Sequence, residues 1–428
     1  MVKKEANMTH RLLGAESSAA KEKIDQYSAR IYNPYQFVAH AAVGAWLYDK
    51  EGNKVLDLLS AYSSILIGHN WKVPIRALQK EYERACVGHC SRVVYTTQYA
   101  DFVEKLRAMT GFDRVLPASD GRSSTEPFVD VCMMHAHHRG IEYPEVILFE
   151  DYFHGRARTF STNALFDQSQ SLGKGPRVAG IVVAEHDVED VRSRINENTV
   201  GIFMEIHRGE GGPLFDDGTY MKVHELARER GVYIGTDGIQ DSLYRCGYFM
   251  SWQEFGEKYR PDATVLGKAL GGGEIPVSAL VGTEEFMSVL TPGTHGSTFG
   301  GYPRGCVAAS ATLDYLHDHP EVGERAMEIG ARFAKNLAGI PGVEVTHRGA
   351  LIAVAVDGIP LAWPLCDEMI CGWRQPNVLV KSGHRHDGYE YLRLSPPTCI
   401  KNEEIDSACF NTIRPILELR KEIVGSGC

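Results

Sequence analysis

From Arg114 to Leu270 the chain repeats one pattern, a short apolar run of β type followed by a stretch that reads as helix or turn. The runs are Val115-Leu116-Pro117, Val146-Ile147-Leu148-Phe149, Ile181-Val182-Val183-Ala184, Val200-Gly201-Ile202-Phe203-Met204-Glu205 and Val232-Tyr233-Ile234-Gly235-Thr236. Helices are expected over about 123–139 and 220–230. Strands separated by helices return to the sheet in the same direction, so the pattern dictates an α/β fold with a mostly parallel sheet between two helical layers.

Two of these runs deliver a charged residue at their ends. Asp237 closes the run from Val232, and Lys268 follows Ala263-Thr264-Val265-Leu266-Gly267. Ligands of open parallel sheets bind at the carboxyl ends of the strands. An acid and a lysine placed there suit pyridoxal 5'-phosphate, which needs an amine for its aldehyde and a carboxylate against its ring nitrogen. Taken alone, the pair also fits a surface lysine and a capping aspartate.

Composition narrows the partners. The 428 residues suffice for two domains, and the 43% hydrophobic and 23% charged content is ordinary for a globular chain. A net charge of −10 argues against nucleic acid, no apolar run reaches bilayer length, and Met1 to Asn7 lack an apolar signal core, so a cytoplasmic protein is expected. Ten cysteines without a paired framework are expected as reduced thiols. His135, His137 and His138 lack an accompanying ligand set and are read as a helix face rather than a metal site.

The remaining chain reads as a polar N-terminal arm, then a hairpin with Ala45 to Tyr48 and Val55 to Asp57 about a Glu51-Gly52-Asn53 turn. Ile75, Leu78, Tyr82 and Ala85 mark an amphipathic helix. After Arg304 a helical region leads to strands near 343–345, 351–356 and 390–394 and a terminal helix over about 402–423. The division expected is 1–60 for the arm and hairpin, 61–310 for a large cofactor-binding domain and 311–428 for a smaller α+β domain.

Three motifs in order, Asp237-Gly238-Ile239-Gln240, Leu266-Gly267-Lys268-Ala269-Leu270 and His295-Gly296-Ser297-Thr298-Phe299-Gly300-Gly301, resemble the core of the class III aminotransferases, which are fold type I pyridoxal phosphate enzymes. The resemblance runs from about Tyr32 to the C-terminal helix and is greatest with the ornithine aminotransferases. It implies Lys268 and Asp237 as catalytic residues. Gln240 would serve the cofactor's phenolic oxygen and Phe153, in Tyr152-Phe153-His154-Gly155-Arg156, would stack on its ring. Asp120, Gly121 and Arg122 would form the phosphate loop at a helix N-terminus. Ser297 and Thr298 match the element that reaches the phosphate of a neighbouring subunit, which implies a homodimer with shared sites. Tyr32, Tyr62, Arg156, Arg208, Glu210 and Arg393 fall at substrate positions, with Glu210 and Arg393 matching an acid–arginine pair in which the arginine is masked for one substrate and freed for a carboxylate of the other.

The chain departs from the family where Arg122, Ser123 and Ser124 replace the phosphate-loop residues, where Gly238 replaces an acid, and where Ile206-His207-Arg208 replaces Pro-Ile-Gln. The leading expectation is ornithine-aminotransferase-like transfer of an amino group to a 2-oxo acid. The alternative is β/γ-elimination, replacement or carbon–carbon bond formation on a larger anionic substrate, motivated by the surplus of arginines. A catalytically silent binding protein is the third reading, and it would have no need of Lys268 and Asp237.

Overall fold

The computed structural model describes residues 13–84, 87–162, 172–209, 218–356, 363–372, 374–384 and 390–420. These divide into two compact units: 71–327 with 384–389, and 1–70 with 328–383 and 390–428.

The 71–327 unit is built on a seven-stranded sheet. Its order is Arg114–Ala118, Ser278–Gly282, Ala263–Leu266, Tyr233–Asp237, Thr199–Met204, Glu145–Phe149 and Ile181–Ala184. The last five are mutually parallel, and only Ser278–Gly282 runs antiparallel to its neighbours. The expected runs all form strands of this sheet, and the expected helices appear as Gly121–Arg139 and Thr219–Arg230.

The antiparallel strand was not anticipated. Ser278-Ala279-Leu280-Val281-Gly282 follows Lys268 with only a short 3-10 turn, Lys268–Gly271, as regular structure between them. That connection is too short for a helical crossover, so the strand can only return antiparallel.

The helix Gly121–Arg139 packs on the sheet through Phe128, whose ring lies 4.8 Å from that of Phe203 and 5.2 Å from that of Phe286. This approach requires Gly235 in the strand beneath, because a Cβ there would stand 2.2 Å from the Phe128 ring. His135, on the same helix, is a core histidine: it is buried, with Nε2 2.9 Å from the Phe286 carbonyl oxygen.

The Lys72–Glu83 helix differs from its sequence pattern. Pro74, Leu78 and Glu81 are buried while Tyr82 is 60% exposed. Glu81 accepts from Gln98 Nε2 at 2.6 Å, which satisfies it away from water. Ala85 lies outside the described residues.

In the other unit the hairpin forms as expected, with Trp46 opposite Leu56 and Tyr48 opposite Lys54. A four-stranded sheet orders Val343–Arg348, Leu351–Val356, Glu390–Leu394 and Lys381–His384. Among the described residues, no helix is long and apolar enough to cross a membrane.

Candidate active site

The sheet brings the two charged strand ends together. Asp237, buried, accepts the Ile239 N–H on Oδ1 at 3.1 Å, and His154 donates from Nδ1 to Oδ2 at 2.9 Å. On the adjacent strand, Lys268 sits just past the end at φ +44, a left-handed conformation that costs a residue with a Cβ roughly 1–2 kcal/mol. Strain of this kind persists where the surroundings enforce it, and it concentrates at functional sites.

Gly121, Arg122, Phe153, Asp237, Gln240 and Lys268 line one cavity of about 150 Å³. Sequence reasoning named all six. The wall is completed by His154, Gly155, Glu205 and Ile239, to which the sequence assigns no role.

Glu205 has a definite place. Its Oε2 accepts the Phe153 N–H at 2.9 Å and its Oε1 the Gly209 N–H at 3.1 Å, so one carboxyl group ties the loops after two strands. Burial, then the charge of Asp237, push it up to about 8, against the pull of the two N–H donors. Asp241 is likewise pushed up to about 6, first by burial.

Gly238, where the family resemblance implies an acid, has no room for a side chain. A Cβ would lie 2.5 Å from Ser242 Oγ and 3.1 Å from the Val265 carbonyl oxygen.

The phosphate-loop residues head the Gly121–Arg139 helix. Asp120 is its N-cap, accepting the Ser123 N–H at 3.0 Å, and the reciprocal Asp120 N–H donates to Ser123 Oγ at 3.2 Å. Ser123 therefore takes the capping-box place of a longer acid. Asp120 points to this cap and is not in the cavity wall, whereas Gly121 and Arg122 are.

Among the described residues, the lining of this cavity does not include the other expected site residues. Arg208 is buried, with Nη1 3.7 Å from Asp151 and its guanidinium 5.6 Å from the Tyr152 ring centre. Arg156 is exposed. Ser297 and Thr298 are exposed on the loop before Gly300, whose N–H Ser297 Oγ accepts at 3.0 Å. Tyr32, Tyr62 and Arg393 belong to the other unit, where Tyr32 is 63% exposed and Arg393 is buried with its guanidinium 5.2 Å from the Tyr62 ring centre. Glu210 lies outside the described residues.

The cavity fits pyridoxal phosphate by the chemistry of its donors. It offers an amine, a carboxylate, an amide, an aromatic face and the first turn of a helix. Beside them His154 Nε2 is buried without a hydrogen-bond partner among the described residues. Gly121 holds the floor open, since a Cβ there would come within 3.1 Å of Ile239.

The aminotransferase class-III family matches residues 27–417. The chain belongs to the class-III aminotransferases. Its relatives include the ornithine aminotransferase of Staphylococcus carnosus, 35% identical over 398 residues (90% of this chain and 96% of that one). That of Brevibacillus brevis is 31% identical over 413 residues, 95% of this chain and 99% of the relative. A Toxoplasma gondii ornithine aminotransferase structure, described as having partial occupancy of pyridoxal phosphate at its active site, superposes with a TM-score of 0.86 at 29% identity, covering 95% of each chain. This chain is thus a pyridoxal-phosphate-dependent aminotransferase of fold type I.

Proposed function

We propose that this aminotransferase moves the amino group of a basic amino acid of the ornithine type onto a 2-oxo acid, with Lys268 and Asp237 as the catalytic residues. The observation that carries the reading is the convergence of Lys268, Asp237, Gln240 and Phe153 on one cavity. The bound cofactor supplies the electron sink that lets the α-proton of the amino acid leave.

The chain's residues do the rest. Lys268 would hold the cofactor through its aldehyde, and its amine is the group placed to move the α-proton. Asp237, fixed by His154 and the Ile239 N–H, would keep a proton on the cofactor's ring nitrogen. Phe153 would stack on the cofactor ring and Gln240 would serve its phenolic oxygen. Gly121 and Arg122 bind phosphate at the helix terminus that Asp120 caps. Tyr32, Tyr62, Arg156 and Arg393 receive the substrate's polar groups, with Glu210 as the acid that masks Arg393 for one of the two substrates. Ser297 and Thr298 serve the phosphate of a second copy. The division at residues 60 and 310 and a cytoplasmic location belong to the same reading.

A second reading is favoured by one observation. Arg122 is exposed and lines the cavity beside Phe153, where it offers a charge beyond the loop's own N–H groups. It favours a larger anionic substrate and diverted chemistry such as elimination or carbon–carbon bond formation.

The test is spectroscopic. Wild-type holoenzyme should show a visible band that Lys268→Ala lacks. Mixed with ornithine, it should convert to the pyridoxamine form and return on addition of 2-oxoglutarate. A wild type that takes up no cofactor would defeat both readings. Failure to half-react with ornithine, together with turnover of amino acids bearing a γ-leaving group and loss of that turnover in Arg122→Ala, would favour the second.

A further inference from the structure

Four consecutive residues with side chains, Ser60, Ala61, Tyr62 and Ser63, have φ of 51°, 48°, 57° and 74°. Residues with a Cβ visit the left-handed region singly and rarely in a run. A run of four therefore has to be imposed by what surrounds it.

The entrance is fixed by Asp57. This carboxylate, 1% exposed, accepts on Oδ1 the N–H groups of Leu59 at 2.9 Å and Ser60 at 2.7 Å, and its Oδ2 lies 2.8 Å from His69 Nε2. His69 is itself tied by its backbone to Gly44 in both directions, at 2.8 and 3.1 Å. A second tie comes from the strand Glu390–Leu394. Just past its end, Ser395 donates from N–H to the Leu58 carbonyl oxygen and from Oγ to that of Leu59, both at 2.7 Å. The turn closes with the Ile65 N–H donating to the Ser60 carbonyl oxygen at 3.1 Å.

This turn delivers one contact. The Tyr62 ring stands 5.2 Å from the guanidinium of Arg393, within cation–π range, and Arg393 is 4% exposed. A ring on the face of a guanidinium fixes the direction of its planar fork of N–H donors, the geometry that matches a carboxylate. Returning the turn to right-handed φ would re-aim the Tyr62 Cβ and remove the ring.

We propose that Asp57 and His69 are positioning residues for carboxylate recognition: they hold the left-handed turn that keeps Tyr62 on Arg393, and thereby set the affinity for carboxylate-bearing substrates without touching them. The proposal rests on the reading of Arg393 as a substrate residue. Asp57→Asn replaces one acceptor oxygen by an amide donor and loses the charge facing His69, so the turn loses its clamp. Ala61 is exposed, so its substitutions act on the backbone alone. A β-branched residue resists φ > 0 and glycine accepts it.

The experiment is a titration of holoenzyme with glutarate, an unreactive dicarboxylate, followed through the visible band, beside the reaction with butylamine, which has no carboxylate. Asp57→Asn and Ala61→Val should each weaken glutarate about tenfold and raise KM for 2-oxoglutarate in proportion with kcat little changed. Cofactor retention and the butylamine reaction should stay at wild-type level. Ala61→Gly in the Asp57→Asn background should recover part of the loss, which a merely destabilised protein would not do. If Asp57→Asn does not fold, Ala61→Val decides. If Arg393→Lys weakens glutarate while Asp57→Asn and Ala61→Val do not, the positioning role is overturned and the reading of Arg393 stands. If Arg393→Lys changes nothing, that reading falls, and the proposal with it.

Discussion

Burial and the adjacent Asp237 raise the Glu205 carboxyl from its ordinary 4.5 to about 8, and this has a measurable consequence for the cofactor-free protein. Because the folded-state value lies above the unfolded one, the folded chain keeps a proton that the unfolded chain has released. Stability therefore falls as pH rises from about 4.5 to about 8, and Asp241 adds a fall of the same sign between 3.8 and about 6. Glu205→Gln should flatten the decline of Tm of the apo protein between about pH 6 and 8, by up to one proton's slope. An unchanged slope would show that Glu205 is ionised throughout. At this scale the sequence showed what strand-end logic can show. Lys268, Asp237 and Gln240 stand where any parallel sheet presents its ligands. His154 was legible only as part of Phe153-His154-Gly155-Arg156, because its partner Asp237 is 83 positions away and nothing local announces the contact. Arg208 read as surplus charge in the sequence, yet the fold buries it beside Asp151.

Elements were legible where periodicity and packing agree. The central parallel strands are buried on both faces, as apolar runs without alternation require, and every residue of Thr199–Met204 and of Tyr233–Asp237 is buried, while the edge strand Ile181–Ala184 is half-buried at three of its four residues. Tyr82 was misleading because one aromatic at helical spacing carries no record of which face a neighbour covers, and here the buried face, with the helix Pro303–Asp318 as neighbour, runs through Pro74, Leu78 and Glu81. The contact between the Gly121–Arg139 helix and the Tyr233–Asp237 strand was invisible for a related reason: a glycine in a strand does not say which ring approaches it. Gly235→Ala puts a Cβ 2.2 Å from the Phe128 ring, two residues before Asp237. Overpacking of this kind costs about 1–3 kcal/mol, and the strand or the helix must give way. Thermal melts should show that loss, with weaker cofactor binding as Asp237 is displaced, and Phe128→Leu in the same chain should restore part of both. Gly235→Ala with wild-type Tm would mean that the helix moves freely on the sheet.

At the scale of the whole molecule, the 71–327 unit carries a surface that a solitary chain has no reason to keep. Val93, Val94, Tyr95 and Phe299 are 86, 58, 102 and 55% exposed. Ser91 Oγ donates to the Thr298 carbonyl oxygen at 3.4 Å and the His89 ring stacks on Phe299 at 4.6 Å, so the two segments form one patch that includes Thr298. Contiguous exposed apolar side chains mark an interface more often than a free surface. A second copy is the occupant that the family resemblance implies, and Thr298, itself exposed, stands on that patch. Two variants separate assembly from cofactor binding. Phe299→Asp should yield monomers in sedimentation and lose cofactor on dialysis, because each copy is deprived of its neighbour's phosphate contact. Thr298→Ala should remain dimeric, release cofactor more readily than wild type, and regain it at higher pyridoxal phosphate concentration. A Phe299→Asp monomer that keeps its full visible band would end the shared-site model, and a Thr298→Ala dimer with wild-type retention would remove Thr298 from it.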